Sequence, residues 1–365
     1  MKNPFICYSE EDKTEYLSAR CSLNRAVLKK LPLYGIEDEI EGLSFKEIFS
    51  TPAIVAEIRR SSRRYGIDLS AQPDYMLPRL LDRALRSDIA RYRQMAASVV
   101  KKFGNRLGLL LLSLKKGEKE NRLARDDWDD ACWEYWRSLK TIILTGGLAS
   151  SMMGRRFKED ILTVFDTAGE KPYHIMLFDN GTYVGMMGLA QKLMRDDTTS
   201  LVLDMGHTSV KRAVIRKSVG EIAEFSAQES LPSLHMKSRF DSEGEKKREA
   251  IELHRAIVNT IAASYRAAPD PAILDDTVLI SIANYTHNGI LNAERGGYAK
   301  LCVINPDYAA VLEEDLSGEL HRDIKVRLVH DSTASALYFS DIDNSACITL
   351  GTGFGVGFTD IRTKK

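Results

Sequence analysis

Four short segments constrain this chain more than anything else in it. They are TIILTGGLASS at 141–151, LVLDMGHTSVKRAVI at 201–215, VRLVHDSTASAL at 326–337 and CITLGTGFGVGF at 347–358. Each opens with an apolar, β-branched run of strand length and ends at a glycine-rich turn or a carboxylate. Strand ends of that kind are where backbone N–H groups converge and where nucleotide sites form. Helical patterns separate them. Residues 181–195, 244–267 and 307–320 carry helical spacing, and 277–283 (TVLISIA) reads as a buried strand. The strongest helical stripe runs through Ile89, Tyr92, Ala96, Val99, Val100, Phe103, Leu107, Leu110, Leu111 and Leu114, with Gly104 and Gly108 beside it to allow close packing. Alternating strands and helices predict an α/β fold. A length of 365 residues predicts two domains.

The rest of the chain adds less. Residues 1–8 read as a short strand and 9–30 as mixed polar and helical. From Ser44 a helix is predicted, interrupted near Thr51 and Pro52 and ended by Gly66. Trp128, Trp133 and Trp136 fall in one charged stretch, as a helix packed on its neighbour or as an exposed contact surface. Residues 201–216 and 347–362 form a weak internal repeat, strand, Gly-Thr turn, strand, ending in Ile-Arg. Duplicated hairpins suit two related domains.

Charge narrows the partners. Lysine plus arginine and aspartate plus glutamate each number 51, so the formal net charge is zero and the basic excess of a nucleic-acid binder is absent. RRSSRR at 59–64 reads as a solvated helix face. The most apolar stretch, 107–114, is far too short to span a bilayer, and the first residues lack a signal-peptide core. Five scattered cysteines, Cys7, Cys21, Cys132, Cys302 and Cys347, have no metal-ligand spacing and fit reduced thiols. The expectation is a cytoplasmic protein with neither nucleic acid nor membrane as partner; a homodimer is compatible.

Taken singly, each motif has two readings. Asp204, at a strand end before Gly206 and Thr208, can hold a hydrated Mg²⁺ while the turn and the Thr208 hydroxyl face phosphate, with Lys211 on the returning strand as a point charge; or it is an ordinary hairpin turn. Gly351, Thr352 and Gly353 either approach a phosphate or make a tight turn. Gly146 and Gly147 offer bare backbone to an adenine, or simply precede a helix. Asp331 can accept a proton from a substrate hydroxyl attacking a γ-phosphate, or it is the N-cap of the helix that follows.

Together, DMGHTSVK, VHDSTASAL, LGTGFGVGF and ILTGG resemble the signature of ROK kinases within the sugar kinase/Hsp70/actin superfamily: D-x-G-G-T-x-x-K, E-N-D-A-N-A-A-A, L-G-T-G-V-G-G-G and V-L-G-G-G. KEIFSTPAIVAE is similar to the family's helix after its zinc motif, and DNGTYVGMMGLAQKL to its closing helix. The likeness covers most of 40–365. In the family the segment like 141–151 comes last, so the chain resembles a circularly permuted member. The resemblance implies two ribonuclease H-like (actin-like ATPase) domains facing across a nucleotide cleft. One comprises 1–180 and 338–365 and holds the adenosine region and second phosphate loop. The other, 181–337, holds the first phosphate loop, the substrate region and the catalytic Asp. Residues 1–8 would pair with 354–361 to make the split sheet continuous.

The resemblance further implies ATP and Mg²⁺ as cofactors and an ATP-dependent phosphotransferase acting on a sugar-like hydroxyl. Asp331 would be the general base and Asp204 would help hold the metal. Gly206, Thr208, Lys211, Gly351, Thr352 and Gly353 would bind phosphates, and Gly146 and Gly147 would border adenosine. Asn284, His287, Asn288, Asn292 and His330 are candidate substrate contacts. The chain departs from the pattern at His207 and His330, at Ala283 and Asn284 in place of Pro-Gly, and in lacking the G-E-I-G-H and zinc motifs. These departures leave a second expectation open, a ligand or nucleotide sensor without catalysis.

Overall fold

Residues 1–11, 13–294 and 296–362 are described by a computed structural model of the chain. They fall into two units. One comprises Met1–Phe5, Arg20–Thr182 and Asn344–Val356; the other comprises Ile6–Ala19, Tyr183–Asp343 and Gly357–Lys365. Of the expected segment 338–365, residues 363–365 lie outside the described set. Both units are α/β. Among the described residues no helix is long and apolar enough to cross a membrane.

In the second unit five strands lie in the order Lys325–His330, Thr277–Ile282, Thr198–Met205, Ser209–Ser218 and Glu221–Pro232. The first three are mutually parallel, and the last two continue antiparallel as a meander. Thr198–Met205 and Thr277–Ile282 are covered on both faces, hence their near-continuous apolar sequences. Leu201, Leu203 and Met205 join Val278, Ile280 and Ile282 in one core with Leu253, Ile257 and Ile261 of helix Glu243–Arg266 and with Leu312 and Leu316 of helix Tyr308–Leu320. The opposite face carries helix Val184–Leu193, which packs on the short helix Asp331–Leu337. At Gly188 a Cβ would lie 2.0 Å from the Ala334 carbonyl oxygen, so the two backbones touch there.

The strand Glu221–Pro232 has no counterpart in the sequence reading. It is an edge strand, mostly exposed, and Val219 and Gly220 both take positive φ (53° and 80°) in the two-residue turn before it.

A four-stranded sheet, in the first unit up to Val356, has the order Phe354–Phe358, Ser345–Leu350, Thr141–Thr145 and His174–Leu177, the last three parallel. Helix Ala90–Lys116 packs on helix Met152–Thr167 through the glycines the sequence singles out. A Cβ at Gly104 would meet Asp160 Oδ2 at 2.3 Å, and one at Gly108 would meet Val164 at 2.9 Å. The predicted interruption near Pro52 is a break between helices Phe45–Ile48 and Thr51–Arg64: Ser44 and Glu47 form a capping box on the first, and Ser50 caps the second. The three tryptophans are buried, with Trp128 stacked on Trp136 and set at steep angles to Phe5 and Trp133, which selects packing over an exposed surface.

One expectation fails. Ile6–Ser9 pairs antiparallel with Thr14–Leu17, not with 354–361, and 9–30 accordingly contains a strand. The edge of Phe354–Phe358 is met instead by a side chain. Asn24 Nδ2 donates to the Phe354 carbonyl oxygen (2.7 Å), and Asn24 Oδ1 accepts the Phe354 N–H (2.8 Å), so one amide satisfies both backbone groups of Phe354. Nothing in a 3.6- or 2-residue period announces such a contact.

Candidate functional site

In the second unit the three parallel strands end together. Asp204 is in register with Ser281, Met205 with Ile282, and Ile282 with His330. The turn at 206–208, the loop after Ile282 and the junction at Asp331 therefore leave the same sheet end, where ligands of open α/β sheets bind. Asp204 and Asp331 extend from strands two apart, roughly 10 Å at about 4.8 Å per strand.

Asp204 is held from both sides by its cross-strand neighbours. Its Oδ2 accepts Lys211 Nζ at 2.7 Å and its Oδ1 accepts Ser281 Oγ at 2.9 Å. Side-chain exposures of 16% for Asp204 and 24% for Lys211 make this a partly solvated pair whose lysine can exchange partners. The turn beyond is braced from beneath: Ser233 Oγ (2.8 Å) and the buried Tyr298 hydroxyl (3.0 Å) both donate to the Gly206 carbonyl, and the Ser233 N–H donates to the Thr208 carbonyl (3.2 Å). Burial pushes the Tyr298 phenol far above its ordinary range, so it stays a donor. Gly206 is half-buried, and the side chains of His207 and Thr208 are exposed. Ser281, Ser233 and Tyr298 escaped the sequence reading; a lone serine inside the apolar run TVLISIA was the signal for the first.

Asp331 is not a cap. It is the first residue of its helix, and the N-cap is His330, whose Nδ1 accepts the Thr333 N–H at 3.3 Å. Asp331 Oδ1 accepts Ser332 Oγ (2.9 Å) and lies 3.3 Å from His330 Nε2. The carboxylate is about one-third exposed. Gly185 links it to the Asp204 group, since a Cβ there would lie 3.4 Å from Ser281 Oγ and 3.7 Å from the Asp331 carbonyl oxygen.

The candidate substrate residues have local work. Asn284 Oδ1 accepts the Asn292 N–H (2.9 Å) and its Nδ2 donates to the Asn292 carbonyl (3.1 Å). Asn292 Oδ1 in turn accepts the Glu294 N–H. Asn288 (φ 46°) and Gly289 (φ 85°) make the tight turn between Thr286–His287 and Ile290–Leu291. His287 stacks on Tyr16 at 4.2 Å and contacts Thr14 Oγ1.

The first unit gathers the remaining glycines. Thr145 and Thr349 are in register, so Gly146 and Gly351 leave adjacent strand ends. Gly146 has φ 89°, and a Cβ on it would lie 2.6 Å from the Leu350 carbonyl oxygen. Gly147 and Thr352 are exposed, and a Cβ at Gly147 would meet nothing within 4 Å.

Among the described residues no cluster of three or more His, Cys, Asp or Glu side chains could hold a metal. Asp204, one carboxylate beside a turn, suits only an ion that keeps its waters and binds mainly through phosphate, as Mg²⁺ does.

No protein-family model and no curated protein matches the chain. Solved structures similar to it include the ethanolamine utilization protein EutJ from Carboxydothermus hydrogenoformans, at 15% identity, 63% of this chain, 75% of that one and a TM-score of 0.32. An exopolyphosphatase-like protein aligns at 10% identity over 72% of this chain and 86% of its own, TM-score 0.31. The Ppx/GppA phosphatase of Aquifex aeolicus, type II variant, aligns at 12% over 71% and 87%, TM-score 0.28. Likeness at this level fixes neither fold nor activity.

Proposed function

We propose that the chain is an ATP-dependent phosphotransferase acting on a hydroxyl of a small molecule, a sugar or sugar derivative, and that it is a circularly permuted ribonuclease H-like protein of the ROK type. The second unit supports the fold reading. Numbered along the chain, its sheet runs 5-4-1-2-3 with only the second strand antiparallel to its neighbours on both sides. In the first unit the paired strands 345–350 and 354–358 come after 141–145 and 174–177 in the chain, the order a permutation gives.

The single observation that carries the activity is Asp331. Its helix is capped by His330, and Oδ2 has no partner among the described residues. A carboxylate so placed can take the proton of an attacking hydroxyl as the oxygen bonds to phosphorus and the bridging oxygen leaves with the nucleoside diphosphate. ATP with Mg²⁺ would supply the phosphoryl group and the charge neutralisation. Lys211 would exchange Asp204 for phosphate oxygens, Asp204 would hold the metal's waters, and Gly206 and Thr208 would present backbone and hydroxyl donors. Gly146, Gly147, Gly351, Thr352 and Gly353 are assigned to adenosine and phosphate by the same reading.

A nucleotide sensor without transfer is the second reading, favoured by the use of Asn284 and Asn292 in holding their own loop. The test is ADP release from Mg-ATP across hexoses, amino sugars and polyols. Acceptor-dependent release that Asp331→Asn abolishes, with nucleotide-induced thermal stabilisation intact, is the expected result. Stabilisation without release for any acceptor favours the sensor, and no ATP binding overturns both readings.

A further inference from the structure

We infer that His330 is a positioning residue that aims the Asp331 carboxylate, not a group that touches the acceptor. The inference rests on the reading of Asp331 as base. His330 is almost wholly buried, and its ring lies parallel to Tyr285, centroids 4.2 Å apart and planes 14° apart. Each ring nitrogen has an assigned partner. Nδ1 accepts the Thr333 N–H at 3.3 Å and lies 3.1 Å from Thr333 Oγ1, so it must be the unprotonated nitrogen. The proton then sits on Nε2, which faces Asp331 Oδ1 at 3.3 Å. Burial lowers the imidazole pKa, against the opposing pull of the Asp331 charge, and keeps the ring neutral.

The consequence is a division of labour between the carboxylate oxygens. Oδ1 accepts the Ser332 hydroxyl at 2.9 Å and has the His330 Nε2 edge 3.3 Å away, so one donor and one neighbouring ring edge bound its side of the carboxylate. Oδ2 is left as the proton acceptor. Because the helix cap itself fixes the tautomer, folding of the helix Asp331–Leu337 and orientation of the base are one event.

Two measurements test this. Selective ¹⁵N-histidine labelling, with His330→Asn to assign the signal, is expected to show a neutral Nε2–H tautomer at pH 7. An Nδ1–H tautomer or an imidazolium would overturn the assignment whatever the protein catalyses. In the acceptor assay His330→Ala is expected to lower kcat roughly ten- to a hundred-fold, part of the ~10²–10⁴ a general base contributes, with KM for ATP and acceptor little changed. His330→Asn should recover most of it, since the shorter amide can cap the same helix and hold Asp331 at its first position. A raised acceptor KM with kcat intact would make His330 a substrate contact and sink the proposal. Absence of turnover in the unaltered chain would instead remove the base reading, and the tautomer alone would then decide the pairing.

Discussion

Ser281 shows how a residue without chemistry of its own shapes the site. It is fully buried, and its hydroxyl is the donor that fixes Asp204 Oδ1. Hydrogen bonds to charged groups contribute about 1.5–3 kcal/mol, so Ser281→Ala is expected to destabilise the chain by about 2 kcal/mol in urea unfolding. It should also weaken stabilisation by Mg-ATP, because Asp204 loses its fixed rotamer. An unchanged unfolding midpoint would mean the carboxylate finds another donor. Asp204 and Asp331 were legible in the sequence because a carboxylate closing an apolar strand is a local pattern. Ser281, Ser233 and Tyr298 were not, because they reach Asp204 or the turn from positions distant in sequence. The choice of cap was also hidden: HDST contains three plausible capping residues, and only the backbone geometry selects His330.

Helices and strands were recovered where burial imposes a period, and lost where it does not. The core strands 198–205 and 277–282 and the long helix 90–116 stand close to their expected bounds. Glu221–Pro232 was missed because a strand exposed along most of its length alternates too weakly, and Ile6–Ser9 found a different partner because hydrophobic pattern sets a face, not a neighbour. Packing of helix Val184–Leu193 on Asp331–Leu337 is the contact most exposed to test. In Gly188→Ala the new Cβ would meet the Ala334 carbonyl oxygen at 2.0 Å and the Tyr338 nitrogen at 2.9 Å, both backbone atoms, so a helix must move. Overpacking costs about 1–3 kcal/mol. The expected result is a lower melting temperature together with reduced kcat, since the displaced helix carries Asp331. A loss of stability without loss of kcat would show that the base tolerates the shift.

At the scale of the whole chain, stability should depend on pH through groups that burial perturbs. Glu37 faces Arg106 (3.0 Å), yet burial outweighs that attraction and pushes its carboxyl up to about 7. The folded state therefore holds a proton that the unfolded chain, with an ordinary carboxyl near ~4.3, releases. Stability from this group is present below that lower value and is lost as pH rises towards 7. Glu37→Gln keeps the uncharged shape, so the stability of the unaltered chain relative to the variant should fall between pH 5 and pH 8 in urea midpoints. A constant difference would place the carboxyl in its ordinary range. His330 acts with the opposite sign: neutral when folded, it loses stability for the chain as pH drops below the ordinary imidazole range.

The Asn24 amide has a consequence for solubility. An outer strand with free donors and acceptors is a template on which a second molecule can add its own backbone. Here a single short side chain stands guard over that template at Phe354, within the chain's own fold. Protection against self-association at Phe354 thus rests on one side chain, and a substitution of Asn24 chosen only for preserving the core would leave that position open.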